Sequence, residues 1–216
     1  MTVGPVAAAG QDERESGRRW PLRRVFVVGA AVAAVVGTLA VVVGTVAMMR
    51  LDEARSVVLD VVSPAQSAGQ ALSVALLNQE TGVRGFVISG GNPEFLEPYR
   101  AGRAAEADAV ATLRELAERR RLERLGPDLA AVESAIASWH SGYVDGVVAG
   151  AAADPEAGRA LFDQVRFVVN RLEADLSSDQ VTAREQVDAA ASTLASVGIA
   201  IAVAMALLLT AVGLGL

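Results

Sequence analysis

The chain of 216 residues has no cysteine and a single histidine, His140. Without cysteine there is no disulfide, no thiolate metal site and no cysteine nucleophile. A lone histidine seldom makes a metal centre or a pH sensor without partners. His140 follows Trp139, a core-stripe position, so it points off that stripe and reads as partly exposed. Lysine is also absent. All 19 basic residues are arginine, as expected of a GC-rich bacterial genome, against 25 Asp and Glu for a net charge of −6. That balance argues against a nucleic-acid partner, which calls for clustered basic charge. No HExxH, GxSxG, Walker loop or GxGxxG occurs. Acid pairs such as Asp52-Glu53 and Glu106/Asp108 fit charged helix faces better than general acid–base catalysis. With no nucleophile–base set to assemble, these residues are read as not an enzyme, with no cofactor and no metal.

What the chain has in excess is apolar residue. They make up 52% of it, with mean hydropathy +0.38, and two blocks hold the surplus. Residues 25–49 and 197–216 carry no charge and are each long enough to cross a hydrocarbon core, which takes about 20 residues. Backbone in lipid must satisfy its own hydrogen bonds, so both are read as transmembrane helices. The first run far exceeds the roughly 7–15 apolar residues of a cleaved signal peptide, which makes it an anchor. Arg18, Arg19, Arg23 and Arg24 precede it and place the N-terminal side in the cytoplasm. Residues 50–196 carry 14 Arg against 22 Asp and Glu, a net of −8, and are expected to be extracytoplasmic. Residues 1–24 lack any apolar period and read as a disordered cytoplasmic tail.

Between the spans the pattern is helical throughout. Leu51, Val58, Val61, Ala65, Ala68, Leu72, Ala75, Leu76 and Gln79 recur at steps of three and four, so the first span should run straight into an outer helix, with a kink near Pro64. Ser89-Gly90-Gly91 stops that helix, and Asn92-Pro93-Glu94 starts another, expected to reach Arg124. The run Arg119-Arg120-Arg121 reads as a solvated face near the membrane. Gly126-Pro127-Asp128 marks a turn. The third helix follows on the stripe Leu129, Val132, Ile136, Trp139, Tyr143, Val147. Asp154-Pro155-Glu156 caps a fourth helix that should enter the second span as one rod. The fold class is therefore all-α: two transmembrane helices flank an extracytoplasmic antiparallel four-helix bundle, joined to the membrane by a two-helix stalk.

One stretch departs from its surroundings: "NQETGVRGFVISGGNPEFLEPY", residues 78–99. Glu80 and Arg84 stand at i, i+4, a helix pair worth about 0.2–0.5 kcal/mol when exposed. Gly82 and Gly85 each cost about 0.8–1.0 kcal/mol against alanine inside a helix. Two such costs within four residues point to close approach of a neighbour, with Phe95 and Tyr99 as visitors. The stretch is a tight hairpin tip, and its candidate ligand or signal residues are Glu80, Thr81, Gly82, Arg84, Gly85, Phe86, Phe95 and Tyr99.

This segment strongly resembles the signature of the third class of CHASE-family extracellular sensor domains. Glu80, Thr81, Gly82, Arg84, Gly85 and Phe86 match its first half, and Phe95, Leu96, Pro98 and Tyr99 its second. "GRALFDQVR", residues 158–166, is similar to the start of the family's last helix. The resemblance covers roughly residues 52–190. It implies a helical sensor domain between two membrane spans at the front of a bacterial receptor, most often a histidine kinase of a two-component system. A homodimer, an external stimulus or protein and a downstream output module are then the expected partners, beside the membrane itself. The departure from the family pattern is the end of the chain at the second span. It is read either as the front of a longer receptor or as an accessory membrane protein that binds an envelope partner.

Overall fold

Apolar residues at steps of three and four, with proline and glycine kept to a few junctions, dictate helix. The computed structural model describes residues 22–119 and 122–214, and these form only helices and turns. The elements are α1 (Leu22–Val57), a π-helical turn (Val58–Val62), α2 (Ser63–Ile88), a 3₁₀ turn (Pro93–Leu96), α3 (Glu97–Glu118), α4 (Leu125–Trp139), a second π turn (His140–Val144), α5 (Asp145–Val148) and α6 (Pro155–Leu214). The N-terminal tail through residue 21 and the pair Arg120-Arg121 lie outside the described residues.

The chain divides into two units, residues 1–44 with 197–216, and residues 45–196. From residue 27 on, the described part of the first consists of helix that is apolar all round. Val35, Leu39 and Val41 on α1, and Ile199, Leu207 and Leu209 on α6, are each more than half exposed. Such a surface belongs in lipid rather than water. The few hydroxyls bond their own backbone, Thr38 to the carbonyl of Ala34 at 2.9 Å and Thr210 to that of Ala206 at 2.8 Å. Helices α1 and α6 each contain a window long and apolar enough to span a membrane, with mean hydropathy 2.5 and 2.0.

The second unit holds the core. Leu72, Leu76 and Val83 of α2, Leu113 of α3, Val132 and Trp139 of α4, and Val165, Leu172 and Leu176 of α6 belong to one buried cluster. Helix α2 ends as its glycines direct. Gly90 and Gly91 take φ of 72° and 92°, and the Gly91 N–H reaches back to the Phe86 carbonyl at 2.9 Å. Both aspartate- and asparagine-type starts form. Asn92 Oδ1 accepts from the Glu94 N–H at 3.1 Å, and Asp154 Oδ1 from Glu156 and Ala157 at 3.0 and 3.2 Å.

The structure gives the Pro64 region a definite form, and three other expectations about the helices change. The region near Pro64 holds a π turn: the Ser63 N–H bonds the Val58 carbonyl, five residues back. Proline lacks an N–H and crowds the carbonyl four residues before it, and the wider turn relieves both. The second outer helix is shorter than the span to Arg124. Its first turn is 3₁₀, Pro98 opens α3 proper, and α3 ends at Glu118. Gly126-Pro127-Asp128 is no turn between helices but the first turn of α4, where a missing N–H costs nothing. Finally, the π turn at 140–144 inserts one residue into the α4 stripe. Val144 becomes fully buried in place of Tyr143, which is half-buried.

Candidate functional site

The hairpin between α2 and α3 is closed by glycine. A β-carbon on Gly82 would stand 2.5 Å from the Tyr99 nitrogen and 2.9 Å from its Cβ, and one on Gly85 would stand 3.0 Å from the Phe95 ring. The two aromatics thus lie where the glycines leave room. Gly102 completes the crossing from the other side: its β-carbon would meet the Ala75 carbonyl oxygen at 2.5 Å and Gln79 Cγ at 2.8 Å. Side chains absent from both helices bring the backbones of α2 and α3 together.

Directly beneath this crossing lies a closed ring of polar side chains. Gln79 is completely buried in a stripe that is otherwise apolar. Its Nε2 donates to Glu106 Oε2 at 2.8 Å. Its Oε1 meets His140 Nε2 at 3.0 Å, and His140 Nδ1 meets Arg103 Nη1 at 2.9 Å. Arg103 Nη1 also donates to Glu106 Oε2 at 3.1 Å. An arginine has no acceptor, so Nδ1 must offer its lone pair and the histidine proton must sit on Nε2, donated to Gln79. Every link is then consistent with one tautomer of a neutral imidazole. Burial, and after it the Arg103 charge, lowers the His140 pKa from its ordinary value of 6.5, while Glu106 and Asp145 oppose that shift. The Tyr99 ring stands edge-on to the imidazole, and burial raises its hydroxyl pKa.

On another face of the same unit a cleft of about 620 Å³ opens between α2 and the start of α6. Glu80 and Arg84 line one wall; Gly158, Arg159 and Phe162 line the other, with Trp139 and Tyr143 also contributing. The two segments that carry the CHASE resemblance, far apart in sequence, therefore meet at one cleft. Tyr143 lies against Gly158, whose β-carbon would fall 2.5–2.7 Å from the tyrosine ring. The cleft charges pair along their own helices: Arg84 with Glu80 at 3.4 Å, and Arg159 and Arg166 with Asp163. Among the described residues no group of three or more His, Asp or Glu is placed to hold a metal ion.

The eight candidate residues thus separate by role. Glu80 and Arg84 face the cleft, Arg84 being 67% exposed at its side chain. Gly82 is buried and Gly85 half-buried, both at the helix crossing, where they receive Tyr99 and Phe95. Phe86 is half-buried against the core and the Gly91 turn, and Thr81 is exposed. Gln79, Gly102, Arg103, Glu106 and His140 stand outside that set. The one signal that marks them in the sequence is Gln79, a polar side chain at a position of the α2 stripe where the period calls for an apolar one.

The helical domain is accompanied by two helices long and apolar enough to cross a membrane. The CHASE3 domain model matches residues 59–193, well over half of the chain, and the chain belongs to the CHASE3 domain family. CHASE3 is a sensor domain typical of signal-transduction receptors. No curated protein and no solved structure matches the chain.

Proposed function

We propose that residues 1–216 are the membrane-anchored sensory input module of a bacterial receptor, with a histidine kinase as its output. The helices of residues 50–196 form an antiparallel four-helix bundle on the extracytoplasmic side, carried on a two-helix stalk by spans at 25–49 and 197–216. The arginines before the first span and the net acidic middle segment favour this orientation. The observation that carries the reading is α6. It starts at the Asp154 cap inside the family domain and remains one helix of 60 residues to Leu214. A shift of that helix caused by a stimulus is passed on as a motion of the span. A signal passes only if the stimulus binds two arrangements unequally. The module works as a homodimer, contributes no catalysis of its own and needs no cofactor.

Two measurements test this. The natural absence of cysteine permits single-cysteine labelling: Ser177→Cys should react with an impermeant maleimide on intact cells, and Thr2→Cys only after lysis. The opposite pattern overturns the topology. For coupling, the chain is joined to a histidine-kinase output and four glycines are inserted at residues 189–191. Loss of regulation with normal membrane insertion is expected; unchanged signalling sinks the rod mechanism.

A further inference from the structure

The ring of Gln79, His140, Arg103 and Glu106 is a poor structural device for a domain that has apolar residues to spare. Burying polar groups costs stability unless each is satisfied. Here all four are satisfied, but only while the imidazole is neutral. We propose that this ring is a proton-binding site, and that protonation of His140 at Nδ1 is a stimulus the domain registers. The proposal deepens the sensory reading and rests on it for the consequence in the cell, but not for the binding of the proton.

The geometry dictates what a second proton does. It would occupy Nδ1, 2.9 Å from Arg103 Nη1, turning an acceptor into a donor against a donor and a neutral ring into a cation beside a cation. That contact must open. The Nε2–H bond to Gln79 need not break, and Glu106, already bonded to both Gln79 and Arg103, is the carboxylate at hand for the new imidazolium. Arg103 has somewhere to go, since its side chain is 45% exposed. Two arrangements are therefore available, one with arginine on histidine and one with carboxylate on histidine, and pH chooses between them. The charged and titratable groups facing His140 are Arg103, Glu106 and Tyr99 from α3 and Asp145 from α5; α2 offers the uncharged Gln79. Burial and Arg103 favour the neutral ring at neutral pH, so the change falls on the acid side of 6.5.

The ring joins elements rather than decorating one. Gln79 belongs to α2, Arg103 and Glu106 to α3, and His140 opens the π turn that follows α4. It sits one turn from Gly82 and directly against Gly102, where the backbones touch and a small displacement cannot be absorbed by side chains.

The test uses the full chain in lipid nanodiscs. His140 is the only histidine, so its imidazole nitrogens are assigned in a ¹⁵N spectrum without further work. Titrating from about pH 7.5 to about pH 4.5, the ring should gain its second proton with a midpoint below 6.5. Amide protection factors around Gln79 and His140 should fall by about tenfold with that same midpoint. His140→Gln, which reproduces the neutral donor and acceptor, should abolish the fall. A midpoint at or above 6.5, or an equal fall in His140→Gln, overturns the proposal. Should that variant not fold, Arg103→Gln provides the second handle: the His140 midpoint must rise, and an unchanged midpoint is equally fatal. None of these readings involves an output domain. Failure here would leave the sensory reading standing, and failure of the glycine insertion would leave this one.

Discussion

A β-carbon at Gly82 would lie 2.5 Å from the backbone nitrogen of Tyr99. The obstacle is main chain, not the far end of a flexible side chain, so one helix would have to move off the other. Alanine in place of a mid-helix glycine ordinarily stabilises by about 1 kcal/mol. Overpacking costs about 1–3 kcal/mol, and here it should win. Gly82→Ala is expected to lower the melting temperature of the chain. Gly126→Ala, in open space within the first turn of α4, should leave it level or slightly higher. Equal behaviour of the two variants in a thermal melt would remove the close-packing account.

Arg84 invites the opposite expectation. Its ion pair with Glu80 spans 3.4 Å but is solvent-exposed and confined to one helix. Such a pair contributes at most about 0.5 kcal/mol. Arg84→Ala should therefore melt within a degree or two of the parent. Any large effect of this variant on signalling would then belong to the cleft and not to folding, which a melt beside a signalling assay separates.

Gln79 gains importance from what surrounds it. Gln79→Leu suits the apolar stripe better but strips His140 Nε2 and Glu106 of their shared partner. Leaving buried polar groups unpaired costs about 1–3 kcal/mol. The variant should be destabilised in urea, and the loss should shrink when His140→Leu is added. Strictly additive losses in that double-mutant cycle would show that the ring is not one unit.

At the other end of α4, Asp128 is buried and its Oδ2 lacks a hydrogen-bond partner. Burial first, and then Asp175, raise its pKa above 3.8; Arg171, 3.7 Å away, opposes this. A carboxyl whose folded pKa is raised adds stability when protonated and loses that contribution as pH climbs through the folded value. At neutral pH the charge is therefore a burden. Asp128→Asn should stabilise by about 1 kcal/mol at pH 7, and the gain should fade as the pH drops toward 4. His140 has the reverse sign. Its lowered pKa means stability is lost as pH falls below 6.5, so acid should first weaken the chain through the histidine. Melts of the parent, Asp128→Asn and His140→Gln over a pH series separate the two.

Elements set by local chemistry were legible in the sequence. The Asn92 and Asp154 caps, the glycine stop after Ile88 and the identity of the aromatics at Gly82 and Gly85 all follow from neighbours within about twenty residues. The π turns did not announce themselves, because a bond to the fifth residue back rather than the fourth uses the same side chains. Only Pro64 hinted at the first of them. That is why the stripe read from the sequence runs through Tyr143 where the fold buries Val144. The polar ring was half legible. Gln79 is conspicuous in its stripe, but its partners lie 27 and 61 residues away, and nothing local connects them.

The π turns also bear on how this chain tolerates editing. Each holds one residue more than an α turn and so sets everything after it back by about 100° of helix azimuth. Removing Ser141 would let the helix close on its ordinary repeat. The same deletion would leave Val144 and Val147, both buried, in the phase they now hold, four and seven residues after Trp139 in a regular helix. The π turn at 140–144 is the phase correction: it absorbs the surplus residue, so that one stretch presents His140 to Gln79 and still delivers Val144 to the core.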